Sequence, residues 1–277
     1  MAAGQHRPGG GRSEAARPKD LDTTTAHPAR IWDYWLGGKD NFAADREAAE
    51  RVAQASPVVV DIARADRAFL VRVVRHLAVD IGIRQFLDIG TGLPTANNTH
   101  EVAQDAAPAS RVVYVDNDPI VLVHARALLT SNPQGATAYV QADARDTDTI
   151  LAKAAETLDL SQPVAVMLLG VLLFIPDEDD PYSITARLMS ALPADSYLAV
   201  SHGASDIDVE AAMTGSGRYN ERSSVPLRLR SRGDFTRFFN GLDILAPGVV
   251  PLDLWEPGRA VAGAGLPCYG ALGRKPG

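Results

Sequence analysis

The spacing of apolar residues changes character twice along this chain. Between residues 30 and 81 it is helical. Ile31, Tyr34 and Trp35, with Trp32 on a flank, predict a short aromatic helix over 30–36 that Gly37 and Gly38 stop. Asp40 or Asn41 can cap a second helix over 42–55, which ends at Ser56-Pro57 because the residue before proline avoids the α region. Ile62, Ala65, Phe69, Val73 and Leu77 mark a third over 58–81, with Arg64, Arg67, Arg72 and Arg75 on its other faces. From residue 85 short β-branched runs alternate with helical stretches. Strands are expected at 85–89, 111–115, 137–141, 164–169 and 196–201, and helices at about 95–106, 119–130, 147–158 and 181–191. Such alternation predicts a parallel sheet covered on both faces. The pattern then weakens. Residues 205–229 read as a loop with helical turns over the ligand edge, Ser231 to Asp234 as the cap of a helix through Phe235, Phe238 and Phe239, and 242–245 and 268–272 as the last strands. A Pro/Gly-rich excursion around Trp255 separates those two.

The fold class is therefore α/β, with a domain reading of a disordered tail over 1–28, an N-terminal helical cap over 29–82 and a ligand-binding core over 83–277. With 277 residues and 46% hydrophobic composition the chain can bury a large core. Its net charge of −7 repels phosphate backbones, which makes nucleic acid an unfavoured partner. A local exception is the crowding of Arg218, Arg222, Arg228, Arg230, Arg232 and Arg237, read either as a solvated rim or as a receiver for an anionic substrate group. Cys268 is the single cysteine, so an intramolecular disulfide and a Cys-rich zinc site are excluded, which suits a reducing cytoplasm. The longest apolar run, 164–175, falls short of the ~18 residues a membrane span needs. Residues 1–28 lack the apolar stretch of a secretory signal.

Candidate chemistry gathers where three strands end. The first runs into Asp88-Ile89-Gly90-Thr91-Gly92-Leu93-Pro94, the second into Asp116-Asn117-Asp118, and the third into Ala142-Asp143-Ala144. Glycines at such a turn take positive φ and let a ligand lie against bare backbone. The N–H groups of the helix that follows favour an anionic or electron-rich group. Asp116 is placed to accept hydrogen bonds from ribose hydroxyls. Asp143 can accept from an adenine amino group while the Ala144 N–H meets a ring nitrogen. A dinucleotide fingerprint would carry a third glycine, which is missing. Asp88 would repel a pyrophosphate but suits a cofactor with an ammonium and a sulfonium, which describes S-adenosylmethionine.

These stretches resemble the successive cofactor motifs of class I S-adenosylmethionine-dependent methyltransferases. Residues 29–42, 86–95, Phe174-Ile175-Pro176-Asp177 and 248–257 are similar, more specifically, to an actinobacterial family of S-adenosyl methyltransferases of unestablished substrate. The resemblance runs from about residue 29 to 275. It implies a Rossmann-like, seven-stranded, mostly parallel sheet with an antiparallel last strand. It also implies cofactor contacts from Asp88, Gly90, Thr91, Gly92, Asp116, Asn117, Asp143, Ala144, Leu169 and Gly170. Leu93-Pro94 departs from the further glycine that many class I enzymes have.

For the methyl acceptor, a small molecule, several residues are candidates. His202 ends the fifth strand and is the candidate general base; Phe174 follows the fourth. Tyr34, Lys39 and Asn41 belong to a segment readable as a lid or as helix punctuation, and Tyr219 can complete the pocket. His100 and His124 lie inside expected helices. No metal is called for. Two other readings are a nicotinamide-dependent oxidoreductase and a non-catalytic S-adenosylmethionine sensor, the latter favoured if Phe174 or the Tyr219 segment plugs the acceptor cavity.

Overall fold

The structure, a computed structural model, describes residues 22–128, 130–221, 225–261 and 263–277. The proposed tail up to residue 21, and Arg222, lie outside the described residues. Among the described residues the main sheet has eight strands, seven of them in one path: β1 Gln85–Ile89, β2 Arg111–Asp116, β3 Ala136–Gln141, β4 Ala165–Leu169, β5 Tyr197–Gly203, β6 Asp243–Ile244 and β7 Cys268–Arg274. Their order is β3-β2-β1-β4-β5-β7-β6. β1 pairs in parallel with β2 and β4, β2 with β3, and β4 with β5, whereas β7 runs antiparallel to both β5 and β6. A two-residue strand, Val250–Pro251, also pairs with β7. The chain reverses direction across the sheet between β1 and β4, which is where an open parallel sheet leaves a crevice at its carboxyl edge.

The period-2 pattern of each strand divides the core in two. Leu87, Ile89, Val113, Val115, Val166, Leu168 and Val200 face one layer, with Ile150, Leu188, Phe235 and Phe238 packed on them. Phe86, Val112, Tyr114, Met167 and Ala199 face the other, covered by Phe69, Val73, Leu77 and Trp255. Asp88 and Asp116 alternate in step with Phe86 and Tyr114, and Ser201 with Ala199. All three therefore belong to the second face.

Nine helices are assigned among the described residues: α1 Pro28–Trp35, α2 Ala43–Ala55, α3 Val59–Arg75, α4 Thr99–Ala106, α5 Pro119–Leu128, α6 Thr147–Ala154, α7 Pro181–Ser190, α8 Val209–Asn220 and α9 Arg232–Thr236. α3 continues as a π-helical segment, His76–Ile81, and ends at Gly82 with φ of 92°. Two differences from the expected elements matter for the site. α4 starts at Thr99 rather than near 95, because Asn98 and Glu101 form a capping box that fixes the later start. The segment after Leu229 is capped by Ser231 as expected, but 209–220 is a true helix. α8 forms there because it packs on α2, so closely that a Cβ at Gly215 would stand 3.2 Å from Ser56 Cβ. The Trp255 excursion returns to the core, where Trp255 is fully buried edge-on to Phe69, and Arg72 of α3 donates to the Trp255 and Leu252 carbonyls.

No helix among the described residues is long and apolar enough to cross a membrane.

Candidate functional site

The glycine turn after β1 is fastened before any ligand arrives. The N–H groups of Gly90 and Thr91 donate to the Val115 carbonyl at 2.8 and 3.2 Å, and that of Gly92 to Oδ2 of Asp116 at 2.9 Å. The amides of the turn itself are therefore engaged within the chain. The turn is not an open anion nest, and the helix behind it begins nine residues after Gly90. What the turn offers is shape. Gly90, Gly92 and Gly170 have φ of 75°, 66° and 62°, and a Cβ on Gly92 would meet nothing within 4 Å, so its bareness keeps the cleft clear.

All ten expected cofactor residues line one cleft of about 210 Å³ at this edge. Asp116 is held by Gly92 on one oxygen and by the Asp118 N–H on the other, at 2.9 Å each, which aims its remaining lone pairs. Asp88 accepts a 2.6 Å hydrogen bond from Thr99. Burial pushes the carboxyls of both Asp88 and Asp116 up to about 6, against the hydrogen bonds that pull them down. Asp143 behaves differently. Arg145 grips both of its oxygens at 2.7 Å and holds it below the ordinary carboxylate range. Any adenine contact from Asp143 therefore uses a lone pair that Arg145 leaves over, and Ala144 stands beside it.

Two cleft residues carry chemistry that the sequence reading overlooked. Arg67 and Asp66 are neighbours on α3. Arg67 donates to the carbonyls of Ala96 and Asn97, yet its Nε is buried without a hydrogen-bond partner. Asp66 is buried on the same stripe as Ala63, Phe69, Leu70 and Val73. Its Oδ1 accepts a very short hydrogen bond from Ser201, and burial pushes its carboxyl up to about 6. The signal was available in the sequence: an acid three residues after Ala63 and three before Phe69 interrupts an apolar stripe.

α1 forms the roof. Pro28, Ala29, Trp32, Asp33 and Leu36 line the cleft, and Arg30 ties the helix down with ion pairs to Asp45 at 3.5 Å and Asp118 at 3.4 Å. The three proposed lid residues are placed elsewhere. Tyr34 donates to Glu50 at 2.9 Å, Lys39 is exposed, and Asn41 donates to Asp33 at 2.8 Å. This segment is a fastened turn. A Cβ on Gly38 would sit 1.9 Å from Asp33 Oδ1, so the second glycine is there to let that carboxylate bond Asp40 and Asn41. Of the aromatic helix, the flank residue Trp32 reaches this cleft, and Trp35 lines the cavity beside it.

A second cavity of about 110 Å³ adjoins the first, and Pro28, Trp32, Asp66, Gly170 and Phe174 line both. Phe174 and Tyr219 stand as its walls with ring centroids 6.1 Å apart, and space remains between the surrounding elements. His202 also lines it but is not available as a base. Its Nε2 accepts from Arg230 and its Nδ1 donates to the Gly203 carbonyl, both at 2.9 Å. Burial drives its pKa down to about 3, so the ring is neutral with its lone pair spent. The arginine crowd is likewise committed. Arg230 clamps the carbonyls of Leu172 and Ile175 and the carboxylate of Asp177, Arg228 pairs with Asp177, Arg218 with Glu221 and Arg237 with Asp234, and Arg232 donates to the Val249 carbonyl. His100 is packed against Tyr114, whose hydroxyl lies 2.8 Å from its Nδ1.

The donor set fits S-adenosylmethionine. Paired oxygens on Asp116 suit a ribose diol, Asp88 suits an ammonium, the unpartnered Arg67 Nε suits a carboxylate, and the excess of carboxylates suits a sulfonium. A pyrophosphate finds the Gly90, Thr91 and Gly92 amides already engaged.

Comparison with known proteins agrees. The S-adenosyl methyltransferase family profile matches residues 14–276. A DUF574 family protein from Streptomyces avermitilis superposes with a TM-score of 0.87 at 45% identity, covering 92% of this chain and 100% of that one. A Thermobifida fusca protein, provisionally assigned as a methyltransferase, gives 0.85 at 37%, covering 95% and 100%. An O-methyltransferase family protein from Burkholderia thailandensis, 12% identical with a TM-score of 0.50 over 74% of this chain and 55% of that one, shares the fold. No curated protein matches.

Proposed function

This chain belongs to the S-adenosyl methyltransferase family and is an S-adenosylmethionine-dependent methyltransferase, and from that premise we propose that it methylates a small molecule held in the second cavity. One observation carries the reading: the cofactor cleft and the apolar cavity share the wall made by Trp32, Asp66, Gly170 and Phe174. Bound in the cleft, the cofactor supplies an activated methyl group. The protein's own residues do the rest. Asp116 and Asp88 fix the two polar ends of the ligand, Arg67 receives its carboxylate, and α1 covers it from solvent. An acceptor in the adjoining cavity is then confined in one orientation, and positioning of that kind supplies much of the rate in a bimolecular displacement.

The cavity also bears on the sensor reading. Phe174 and Tyr219 line it without filling it, and this favours an enzyme over a plugged binding protein. A chamber roofed by α1 and walled by α8 suits a molecule that enters whole better than a segment of a folded macromolecule. Incubation with methyl-labelled S-adenosylmethionine and a cell extract tests this. Label recovered in the dialysable fraction is the expected result; label confined to protein or nucleic acid would overturn the small-molecule reading.

A further inference from the structure

Asp66 is the buried acid at the junction of the two cavities. It reaches there from α3, where the apolar stripe seats it against β5. The Ser201 hydroxyl donates to its Oδ1, and Oδ2 faces the turn after β4: a Cβ built on Gly170 would lie 3.9 Å from that oxygen and 3.5 Å from the Trp32 indole. Ser201 is itself held, accepting from the Gly170 N–H at 2.9 Å. The carboxylate is thus oriented by a hydroxyl that β5 and the β4 turn both fix.

The chamber beside it is apolar and aromatic, walled by Trp32, Trp35, Ile62, Phe174, Tyr219 and Leu227. Its other polar groups are mostly spent within the chain. His202 has both nitrogens engaged, Ser216 donates to the Ala212 carbonyl and Ser201 serves Asp66. A molecule filling this space meets apolar surface over most of its area and one carboxylate at the end nearest the cofactor cleft. Resting on the small-molecule reading, we propose that the acceptor is a small aromatic compound bearing a hydroxyl, and that Asp66, positioned by Ser201, takes the hydroxyl proton as the methyl group is transferred.

The balance is simple. The acceptor oxygen forms the new bond to the methyl carbon, its proton passes to Oδ2 of Asp66, and the electron pair of the broken S–CH3 bond stays on sulfur. The products are an aryl methyl ether, S-adenosylhomocysteine and a protonated Asp66 that returns its proton to solvent as the product leaves. Burial raises the Asp66 carboxyl to about 6, which keeps it ionised at neutral pH and more basic than an ordinary aspartate. The charged and titratable groups facing it are Arg67 on its own helix, Asp88 on β1 and the Cys268 thiol on β7. Burial pushes that thiol well up, so it stays protonated.

The test uses the full chain saturated with S-adenosylhomocysteine, and 2-naphthol against 2-methoxynaphthalene as probes that differ at the protic hydrogen. Calorimetry is expected to show a preference for 2-naphthol of about tenfold or more above pH 6, the worth of a hydrogen bond to a charged group. Asp66→Leu should abolish the preference and Asp66→Asn reduce it, both retaining S-adenosylhomocysteine affinity within a small factor. Asp66→Asn keeps the Ser201 contact should the leucine variant fail to fold. Ser201→Ala, which removes a bond favouring the ionised form, should move the pH at which the preference appears upward. With S-adenosylmethionine, the wild type should convert 2-naphthol to 2-methoxynaphthalene and Asp66→Asn should not. Equal affinity for both probes, binding of neither, or no turnover by the wild type overturns the proposal. So does an Asp66→Asn variant that loses S-adenosylhomocysteine as strongly as 2-naphthol, because the carboxylate would then serve the cofactor's ammonium. Failure of the wild type to bind S-adenosylhomocysteine would instead overturn the function on which the proposal rests.

Discussion

Three aspartates, Asp66, Asp88 and Asp116, sit at the carboxyl edge of the sheet with their carboxyls raised to about 6 by burial. Removing Asp116 takes away a charged acceptor that the turn holds in place, and Asp116→Ala should weaken S-adenosylmethionine binding by about tenfold to a hundredfold, or about 1.5–3 kcal/mol. Calorimetry measures it directly. The same burial makes affinity pH-dependent. Ionised Asp88 and Asp116 bind an ammonium and a ribose diol better than their protonated forms do, so affinity should fall as pH drops through about 6. Stability of the free protein runs the other way. A carboxyl whose folded pKa is raised from 3.8 to about 6 stabilises the fold fully below 3.8, and that contribution is lost as pH rises through about 6. Asp66→Asn should therefore raise stability at pH 8 by up to about 3 kcal/mol and give no gain at pH 4, as urea melts at the two pH values would show. Stability is traded for a charged site, a common bargain where a fold carries chemistry.

Among the elements, α1 shows how a charge network sets a roof. Arg30 is buried between Asp45 of α2 and Asp118 before α5, and also donates to the carbonyls of Asp22 and Thr25. Breaking one side of a buried pair leaves carboxylates without their counter-charge. Arg30→Met should cost about 3–5 kcal/mol in denaturant unfolding, well beyond a surface substitution. Gly38→Ala should also destabilise, since its methyl would collide with Asp33. The elements differ in how far they could be read from sequence. The existence of α1, α2 and α3 followed from periodicity and from Ser56-Pro57. The start of α4 did not, because Asn98 with Glu101 competed with earlier polar residues for the cap and the loop geometry decided. α8 was least visible: its polar, glycine-containing sequence is helical because α2 packs against it.

At the scale of the whole molecule, α1 lines both cavities, whereas α8 lines the chamber and not the cleft. Hydrogen exchange should register this separation. S-adenosylhomocysteine should slow amide exchange in α1 and around the glycine turn, whereas a ligand of the chamber should add protection in α8. Uniform protection by the cofactor alone would contradict it.

The strand-edge residues Asp88, Gly90, Gly92, Asp116 and Asp143 could be placed on one cleft from sequence because the period of a parallel sheet delivers strand ends to a common edge whatever the packing above them. That regularity determines the fold and the edge that carries the site, while the cofactor class was read from Asp88, the missing third glycine and the family resemblance. The acceptor side obeys no such repeat. Whether His202 keeps a free nitrogen depends on Arg230, 28 residues away, and whether Asp66 meets Ser201 depends on a contact across 135 positions. Lys39 and Asn41, after Gly37 and Gly38, could be read as a lid or as helix punctuation, and the Asp33 carboxylate that bonds Asp40 and Asn41 fastens the turn. Local pattern determines which elements form and where strands end; the partners of a buried charge are set by long-range packing, and only the tertiary structure decides them.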